Sequence, residues 1–176
     1  MPHLIEKAPT GRAKCRGCEG KIAAGELRFG EKLPNPFADG EGAEMTHWFH
    51  VMCAAYRRPE ALLEGLTTAE VEIDNRAALE YAAALGVTHR RLPRVSTAER
   101  APTGRANCRA CKTLIDRDTW RIALVYYEDG RFTPSGFMHA KCVKDYLETT
   151  EIGARVKHFS PELSDADLAD LAASYS

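Results

Sequence analysis

Two short segments of the chain alternate apolar and polar positions in the way that strands do. Residues 26–33 place leucine and phenylalanine on one side and Arg28 on the other, and residues 119–127 repeat this alternation around Arg121. The pattern predicts a half-buried strand in each segment. Glycine, proline and aspartate gather after both strands, which indicates turns, and an aromatic run follows the first turn. The turns are predicted at 34–42 and 128–130, with a returning strand from His47.

Helices are predicted in the remainder of each half. One begins near Pro59, and a second begins at Thr68, where a threonine cap precedes acidic residues, and continues to Gly86. Near the C-terminus, Ser164 can cap a further helix in the same way. Residues 87–100 hold a proline, four arginines and no hydrophobic period, so they are predicted to form a basic linker.

The chain contains an internal repeat. Residues 8–15 read APTGRAKC and residues 101–108 read APTGRANC, while HWFHVMC at 47–53 corresponds to GFMHAKC at 136–142. We therefore expect two small α+β modules, each a short antiparallel sheet with helices. The first module is placed at residues 1–86, the linker at 87–100 and the second module at 101–176.

Composition restricts the classes of protein that these modules can form. The chain has 176 residues, a formal net charge of −1 and 28% charged residues, which disfavours disorder and indiscriminate coating of nucleic acid. Its apolar runs are too short for a membrane span or a secretion signal, so we expect an intracellular protein with no membrane partner. Six cysteines in an intracellular chain favour metal binding or catalysis over disulfides.

Each copy carries Cys-x2-Cys, a gap, and His-x2-Cys, which is the ligand pattern of a tetrahedral zinc site. In the first copy His47 and His50 both precede the last cysteine, but only His50 has a counterpart in the second copy. Free thiols or three disulfides are the alternative, which the duplicated pattern disfavours because it leaves no cysteine over. Two structural zinc ions per chain are predicted, since neither site keeps an open position. Their ligands are Cys15, Cys18, His50 and Cys53, and then Cys108, Cys111, His139 and Cys142.

The order of these motifs resembles the PARP-type zinc finger, the finger that senses DNA breaks in poly(ADP-ribose) polymerase and in a eukaryotic DNA ligase. The shared features are Gly-Arg before the first cysteine, the Leu-Arg strand, the long gap and the aromatic HWFH at 47–50. The gap is 31 residues long in the first copy and 27 in the second. GFMH at 136–139 departs from HWFH, although Phe137 keeps an aromatic residue at the position of Trp48.

The resemblance implies that the two fingers bind DNA at strand breaks. In such fingers, arginines near the first zinc ligand and on the following strand contact phosphates. Apolar side chains of the gap loop stack on the base pair that a break uncovers. The implied phosphate contacts are Arg12, Arg16, Arg28, Arg105, Arg109 and Arg121. The implied stacking residues are Phe37 and Met45 in the first loop, and Tyr127 and Phe132 in the second.

The predicted function is non-catalytic recognition of nicks, gaps or ends. Broken DNA is the partner, a separate repair enzyme is a candidate second partner, and a monomer is the expected state. No catalysis is expected, because two modules fill the chain and metal takes every thiol. A zinc-stabilised protein-interaction scaffold is the alternative, and the recurring arginines favour DNA over it. A regulatory RNA-binding or transcription-associated zinc ribbon is a third possibility. The absence of a recognition helix and of a base-reading set of Asn, Gln and Arg disfavours sequence-specific control of transcription. A composition rich in alanine and arginine favours a bacterial nucleoid or cytoplasm over a nucleus.

Overall fold

The computed structural model describes residues 2–175 and divides the chain into two compact units, Met1–Thr88 and His89–Ser176. In its described residues, each unit has one three-stranded antiparallel sheet with helices after it. The small α+β modules expected from the sequence are therefore confirmed. No helix between residues 2 and 175 is long and apolar enough to cross a membrane.

The first sheet is built around the strand that carries the Leu-Arg motif. Its strands, in spatial order, are β1 (Leu4–Lys7), β2 (Leu27–Pro34) and β3 (Glu44–His50). The register places Phe29 of β2 opposite both Ile5 and Phe49, and all three side chains are buried. The two predicted strands of this unit are therefore confirmed, and β3 begins three residues before His47.

Helices complete the first unit in its described part: α1 (Val51–Arg57), α2 (Pro59–Thr67) and α3 (Arg76–Thr88). Pro59 opens α2, as predicted, because its fixed φ suits the first helical position. The predicted helix start at Thr68 is wrong, since the Thr68 hydroxyl donates to the Gly65 carbonyl oxygen (3.5 Å) at the end of α2. The next helix begins only at Arg76. The predicted stop at Gly86 is wrong as well, because Gly86 is buried within α3.

The second sheet repeats the first. Its strands, in spatial order, are β4 (Val95–Arg100), β5 (Trp120–Glu128) and β6 (Arg131–His139). The predicted basic linker at 87–100 is wrong, because β4 occupies its second half. Val95 and Ala98 are both buried against β5, but the register shifts between them. This irregularity sets the buried side chains three residues apart and hides the two-residue period that marks a strand.

Short helices follow in the second unit: a 3₁₀ turn at Ala140–Cys142, α4 (Val143–Leu147), α5 (Gly153–Phe159) and α6 (Asp165–Ala173). Ser164 caps α6 as predicted, since its hydroxyl accepts from the N–H of Asp167 at 3.1 Å. The Asp167 carboxylate accepts from the N–H of Ser164 in return, at 2.9 Å. The buried Ser160 hydroxyl accepts from the N–H of Ala98, which ties the end of α5 to β4.

Val95 offers a direct test of the strand that replaces the linker. Its side chain is 0% exposed, whereas Thr97 on the same strand is exposed. We expect Val95→Asp to unfold the second unit, because a carboxylate would be buried there without a partner. Thr97→Asp should change the free energy of unfolding by no more than about 0.5 kcal/mol. Amide NMR spectra resolve the two units, and a folded second unit in the Val95→Asp protein would favour the linker interpretation instead.

Candidate metal centres and nucleic-acid interface

The first unit brings Cys15, Cys18, His50 and Cys53 together, with their ligand atoms within 4.8 Å of one another. The first two residues lie in the turn before Lys21, His50 ends β3 and Cys53 lies in the first turn of α1. His50 Nδ1 is 3.4 Å from the sulfur of Cys18 and 3.8 Å from that of Cys53. A tetrahedral zinc site needs ligand-to-ligand distances of about 3.6–3.8 Å, given its bond lengths. The donor set therefore fits zinc.

The second unit reproduces this cluster with Cys108, Cys111, His139 and Cys142, again within 4.8 Å of one another. His139 Nδ1 is 3.3 Å from the sulfur of Cys111 and 3.8 Å from that of Cys142. The sulfurs of Cys108 and Cys142 are 3.9 Å apart, nearly twice the length of a disulfide bond. All six cysteines are free thiols, so the disulfide alternative is excluded. The chain holds two Cys3His centres for structural zinc.

Backbone geometry presents the thiols to the metal. Cys15 and Glu19 close the first turn, where the N–H of Glu19 donates to the Cys15 carbonyl oxygen and Glu19 takes a positive φ of 64°. Lys112 plays the same part after Cys108, with a φ of 66°. The N–H groups of Gly17 and His50 both lie 3.3 Å from the Cys15 sulfur. Such donors stabilise a thiolate and orient it.

Each ligand histidine is oriented by a carbonyl oxygen on its other side. His50 Nε2 is 3.0 Å from the oxygen of Lys21, and His139 Nε2 is 2.9 Å from that of Leu114. A carbonyl oxygen can only accept, so Nε2 carries the proton and Nδ1 is left to bind metal. Both centres therefore use the same tautomer. With four protein ligands each, neither keeps a position for water or substrate, and both are structural.

A thiolate in the first cluster disfavours ionisation of the thiols that it contacts. Hydrogen bonds to Cys15 and Cys18, followed by burial, raise the pKa of the Cys53 thiol well above its ordinary value. Contact with Cys15, followed by Cys53, lowers the pKa of Cys18. A divalent cation removes this conflict because it allows all three to bind as thiolates. Burial lowers the pKa of Arg57 to about 10, and the charge of Cys53 opposes that shift. Arg57 therefore offsets thiolate charge from within the protein.

His47 stays outside the metal cluster. It is buried at 5% exposure in β3, opposite Glu31 of β2. Burial lowers its pKa, with the charge of Arg16 as the next cause, so it remains a neutral residue of the sheet. The repeat predicts His50, not His47, as the zinc ligand, and this arrangement agrees with that prediction.

Zinc binding separates the two histidines experimentally. The wild-type chain should hold two zinc ions, and His50→Ala should hold one, because the second centre shares no ligand with the first. His47→Ala should still hold two. Native mass spectrometry measures the stoichiometry directly. A folded His50→Ala protein that keeps two zinc ions would contradict the ligand assignment.

The structure divides the six candidate arginines into two groups. Arg12 and Arg16 are exposed around the first knuckle, the turn between its first two zinc ligands, and Arg105 and Arg109 are exposed around the second. None of these four forms an ion pair with a described residue. They are available to an external anion.

Arg28 and Arg121 are buried instead, each 7% exposed, which differs from the exposed strand face expected of them. Arg28 Nη2 lies 2.5 Å from Glu6 Oε1, and its guanidinium carbon lies 3.5 Å from the centre of the Trp48 ring. Arg121 makes the same contacts at 2.5 Å and 3.6 Å. Its partners are Glu99 and Phe137. Neither glutamate was predicted from the sequence. The signal was present, since EKAPTGRA at 6–13 and ERAPTGRA at 99–106 extend the repeat upstream.

The four stacking candidates have different environments. Phe37 lies in the connection between β2 and β3 and is 92% exposed, whereas Met45 is half-buried in β3 opposite Leu33. Tyr127 and Phe132 lie in strands β5 and β6, not in a loop, so that part of the prediction is wrong. They face each other across the hairpin with ring centres 4.8 Å apart. The shorter gap of the second copy forms a tight hairpin, which leaves no loop to carry them.

A groove of about 430 Å³ borders the second knuckle. Gly136 forms part of its wall with a positive φ of 83°, and a Cβ there would lie 2.5 Å from Nε of Arg109. The Arg109 side chain therefore lies against this glycine, whose equivalent in the first unit is His47. The groove is lined by Ala106, Asn107, Cys108, Arg109, Lys112, Gly136 and Phe137.

Comparison with known proteins finds a family that the first unit resembles. A family model described as the poly(ADP-ribose) polymerase and DNA-ligase zinc-finger region matches residues 6–84, nearly the whole first unit. Residues 6–84 are therefore similar to the PARP-type zinc finger. The second unit repeats the strand order and the ligand set of this finger.

Proteins similar to this chain include poly(ADP-ribose) polymerases. The chain is 29% identical over 145 residues to that enzyme of Sarcophaga peregrina and 26% identical over 142 residues to that of Drosophila melanogaster. Each alignment covers 73% of this chain, more than either unit holds, so it includes residues of both. Poly [ADP-ribose] polymerase 1 of Caenorhabditis elegans is 40% identical over 53 residues, which is 30% of this chain. The chain spans only 14% of the length of the two insect enzymes.

Proposed function

We propose that this protein binds DNA strand breaks through its two zinc fingers and catalyses no reaction itself. The observation that carries the proposal is Phe37, whose side chain is 92% exposed in the connection between β2 and β3. An exposed aromatic ring has no favourable contact with water at that position, but it can stack on the face of a base pair. The PARP-type fold of the unit that presents it supports DNA as the partner.

The exposed arginines supply the affinity. Arg12 and Arg16, with Arg105 and Arg109, lie close in sequence to zinc ligands, so the metal centres hold the turns that present them. Phosphate contacts of this kind carry no sequence information but fix the position of a protein on the duplex. Arg28 and Arg121 can reach a phosphate only by leaving their glutamates, so we assign them mainly to holding the fold.

The stacking residues supply the preference for a break. In closed duplex every base-pair face is already stacked, while at a nick the stack can open at a cost of roughly a few kcal/mol. Cover of the exposed face by an aromatic ring returns about 1–3 kcal/mol. In the first unit we assign this role to the exposed Phe37 and to the half-buried Met45. In the second unit the paired rings of Tyr127 and Phe132 would act together.

A binding role also fits the chemistry of the centres. Zinc takes all six thiols in closed four-ligand sites, so none remains as a nucleophile. We propose that the bound protein is DNA-associated and monomeric, and that it marks the break for a separate repair enzyme.

Removal of exposed arginines should weaken DNA binding without loss of stability. We expect Arg12→Ala with Arg105→Ala to lower affinity for every duplex and to reduce the salt slope by about 1.8, at about 0.9 per phosphate contact. The melting temperature should stay that of the wild type. The contrasting variant is Arg28→Ala, which should lose about 1–3 kcal/mol of stability through its broken charged hydrogen bonds. A salt titration of fluorescence anisotropy, with a thermal melt of each variant, measures both effects.

Two results would count against this division of roles. An unchanged salt slope in the Arg12→Ala, Arg105→Ala protein would remove the knuckles from the DNA interface. A strongly weakened but fully stable Arg28→Ala protein would return Arg28 to phosphate contact.

Break preference should depend on Phe37. We expect the wild type to prefer nicked to closed circular duplex. In Phe37→Ala the ratio of the two affinities should fall about tenfold, because the stacking contribution disappears. Phe37→Trp should keep it. Val87, an apolar residue that is 41% exposed on α3, provides the control, and Val87→Ala should behave as the wild type. Competition between the two circles measures the ratio. Equal wild-type affinity for both would leave the protein-scaffold function as the better one.

A further inference from the structure

A group of arginines near the start of the second unit serves neither zinc nor the knuckles. Arg91 and Arg94 lie at the short 3₁₀ turn Leu92–Arg94 that leads into β4. Beside them lie Tyr126 of β5 and Tyr146 of α4. We call these four residues the Arg94 surface. All of them belong to one compact unit, so the arrangement does not depend on the first finger.

The partners of both arginines are neutral. Arg94 is half-buried, and its guanidinium donates to the Tyr146 hydroxyl (2.5 Å), the Ser135 hydroxyl (3.1 Å) and the Val125 carbonyl oxygen (3.4 Å). Arg91 donates to the Tyr146 carbonyl oxygen at 3.1 Å, and its guanidinium carbon is 4.7 Å from the centre of that ring. The two cations are therefore held in place by hydrogen bonds and aromatic rings.

No carboxylate of a described residue forms an ion pair with either arginine. This separates them from Arg28 and Arg121, whose charges are neutralised by glutamates at 2.5 Å. A fixed guanidinium without a counter-charge is a site for an external anion, because its side chain is already ordered and binding does not pay that entropy cost.

An exposed ring completes the surface. Tyr126 is 53% exposed, and the guanidinium carbon of Arg94 lies 6.0 Å from the centre of its ring. Fixed cations beside an exposed aromatic ring form the combination by which proteins bind single-stranded nucleic acid, with phosphates on the cations and a base on the ring. An acidic peptide would use the cations but would have no need of the ring.

We propose that the Arg94 surface binds single-stranded nucleic acid, with Arg91 and Arg94 on phosphates and Tyr126 stacked on a base. This activity goes beyond break recognition, because it requires neither a duplex nor an uncovered base pair.

The probe is a fluorescent oligothymidylate with no duplex partner, titrated with the full chain and followed by anisotropy. Tyr126→Ala should weaken binding about tenfold, through loss of one stacked base, and Tyr126→Phe should restore it. Tyr81→Ala is the matched control, since Tyr81 is a tyrosine of the first unit that is 61% exposed. It should bind as the wild type.

The cations are tested by the salt slope. Arg91→Ala with Arg94→Ala should lower it by about 1.4 on the single strand, at about 0.7 per phosphate contact. The control is Arg117→Ala, an exposed arginine of the same unit that pairs with Asp118, and it should leave the slope unchanged. If loss of the Arg94 hydrogen bonds unfolds the unit, Arg91→Ala alone should lower the slope by about half as much, since Arg91 is exposed.

Outcomes for the two functions are distinct. Arg12→Ala with Arg105→Ala should lower the affinity for nicked duplex and leave the affinity for oligothymidylate unchanged. Tyr126→Ala should lower the affinity for oligothymidylate and leave the affinity for nicked duplex unchanged. Equal oligothymidylate affinity of Tyr126→Ala and Tyr81→Ala would overturn the proposal and leave break recognition standing. Displacement of the oligonucleotide by polyglutamate with the same affinity in Tyr126→Ala and wild type would identify the surface as one for acidic protein segments instead.

Discussion

Metal coordination is the constraint on which the rest of each unit depends. A three-stranded sheet with a few short helices buries too little apolar surface to be stable by itself, and metal binding adds directly to the free energy of folding. In each unit the centre joins a tight turn to the end of a strand and to the helical segment that follows it. The ligands therefore hold together segments that are about 30 residues apart in sequence. The knuckle arginines proposed for DNA lie in or beside the turns that these ligands hold.

The buried arginines connect the sheet to these centres. Arg28 lies directly opposite the ligand His50 in the register of β2 and β3, and Arg121 lies directly opposite His139. Each guanidinium also reaches across to a glutamate on the edge strand and packs on an aromatic ring from the ligand strand. One side chain thus bridges all three strands next to a zinc ligand. This explains why the arginine of the Leu-Arg motif recurs in both units without an exposed role.

The parts of the fold that rest on local chemistry could be predicted from the sequence. The zinc ligands follow from a spacing that appears twice, and His139 selects His50 because the second copy has no equivalent of His47. The cap of α6 at Ser164 and the start of α2 at Pro59 each depend on a single residue, so both could be predicted from the sequence.

What could not be predicted depends on contacts between distant segments. β4 carries a register irregularity between Val95 and Ala98, so its buried side chains lose the period of a strand. The strand pattern predicts Arg28 on the exposed face, but contacts with Glu6 and Trp48 bury it. Composition also gives no means of telling a neutralised arginine from one that is available to a ligand.

That distinction reconciles a net charge of −1 with the proposed nucleic-acid ligand. The arginines near the two zinc centres and those of the Arg94 surface differ in their electrostatic surroundings. Arg28 and Arg121 of the sheets are neutralised by glutamates. Arg57 offsets thiolate charge at the first centre, and its equivalent in the second unit is Tyr146. The knuckle arginines and the Arg94 surface keep their charge, which is not offset by an ion pair with any described residue. A phosphate interacts with nearby charges far more strongly than with the screened sum over the molecule. Near-neutrality overall therefore weakens indiscriminate attraction to duplex while these local sites remain effective, which is the condition under which shape and stacking decide where the protein binds.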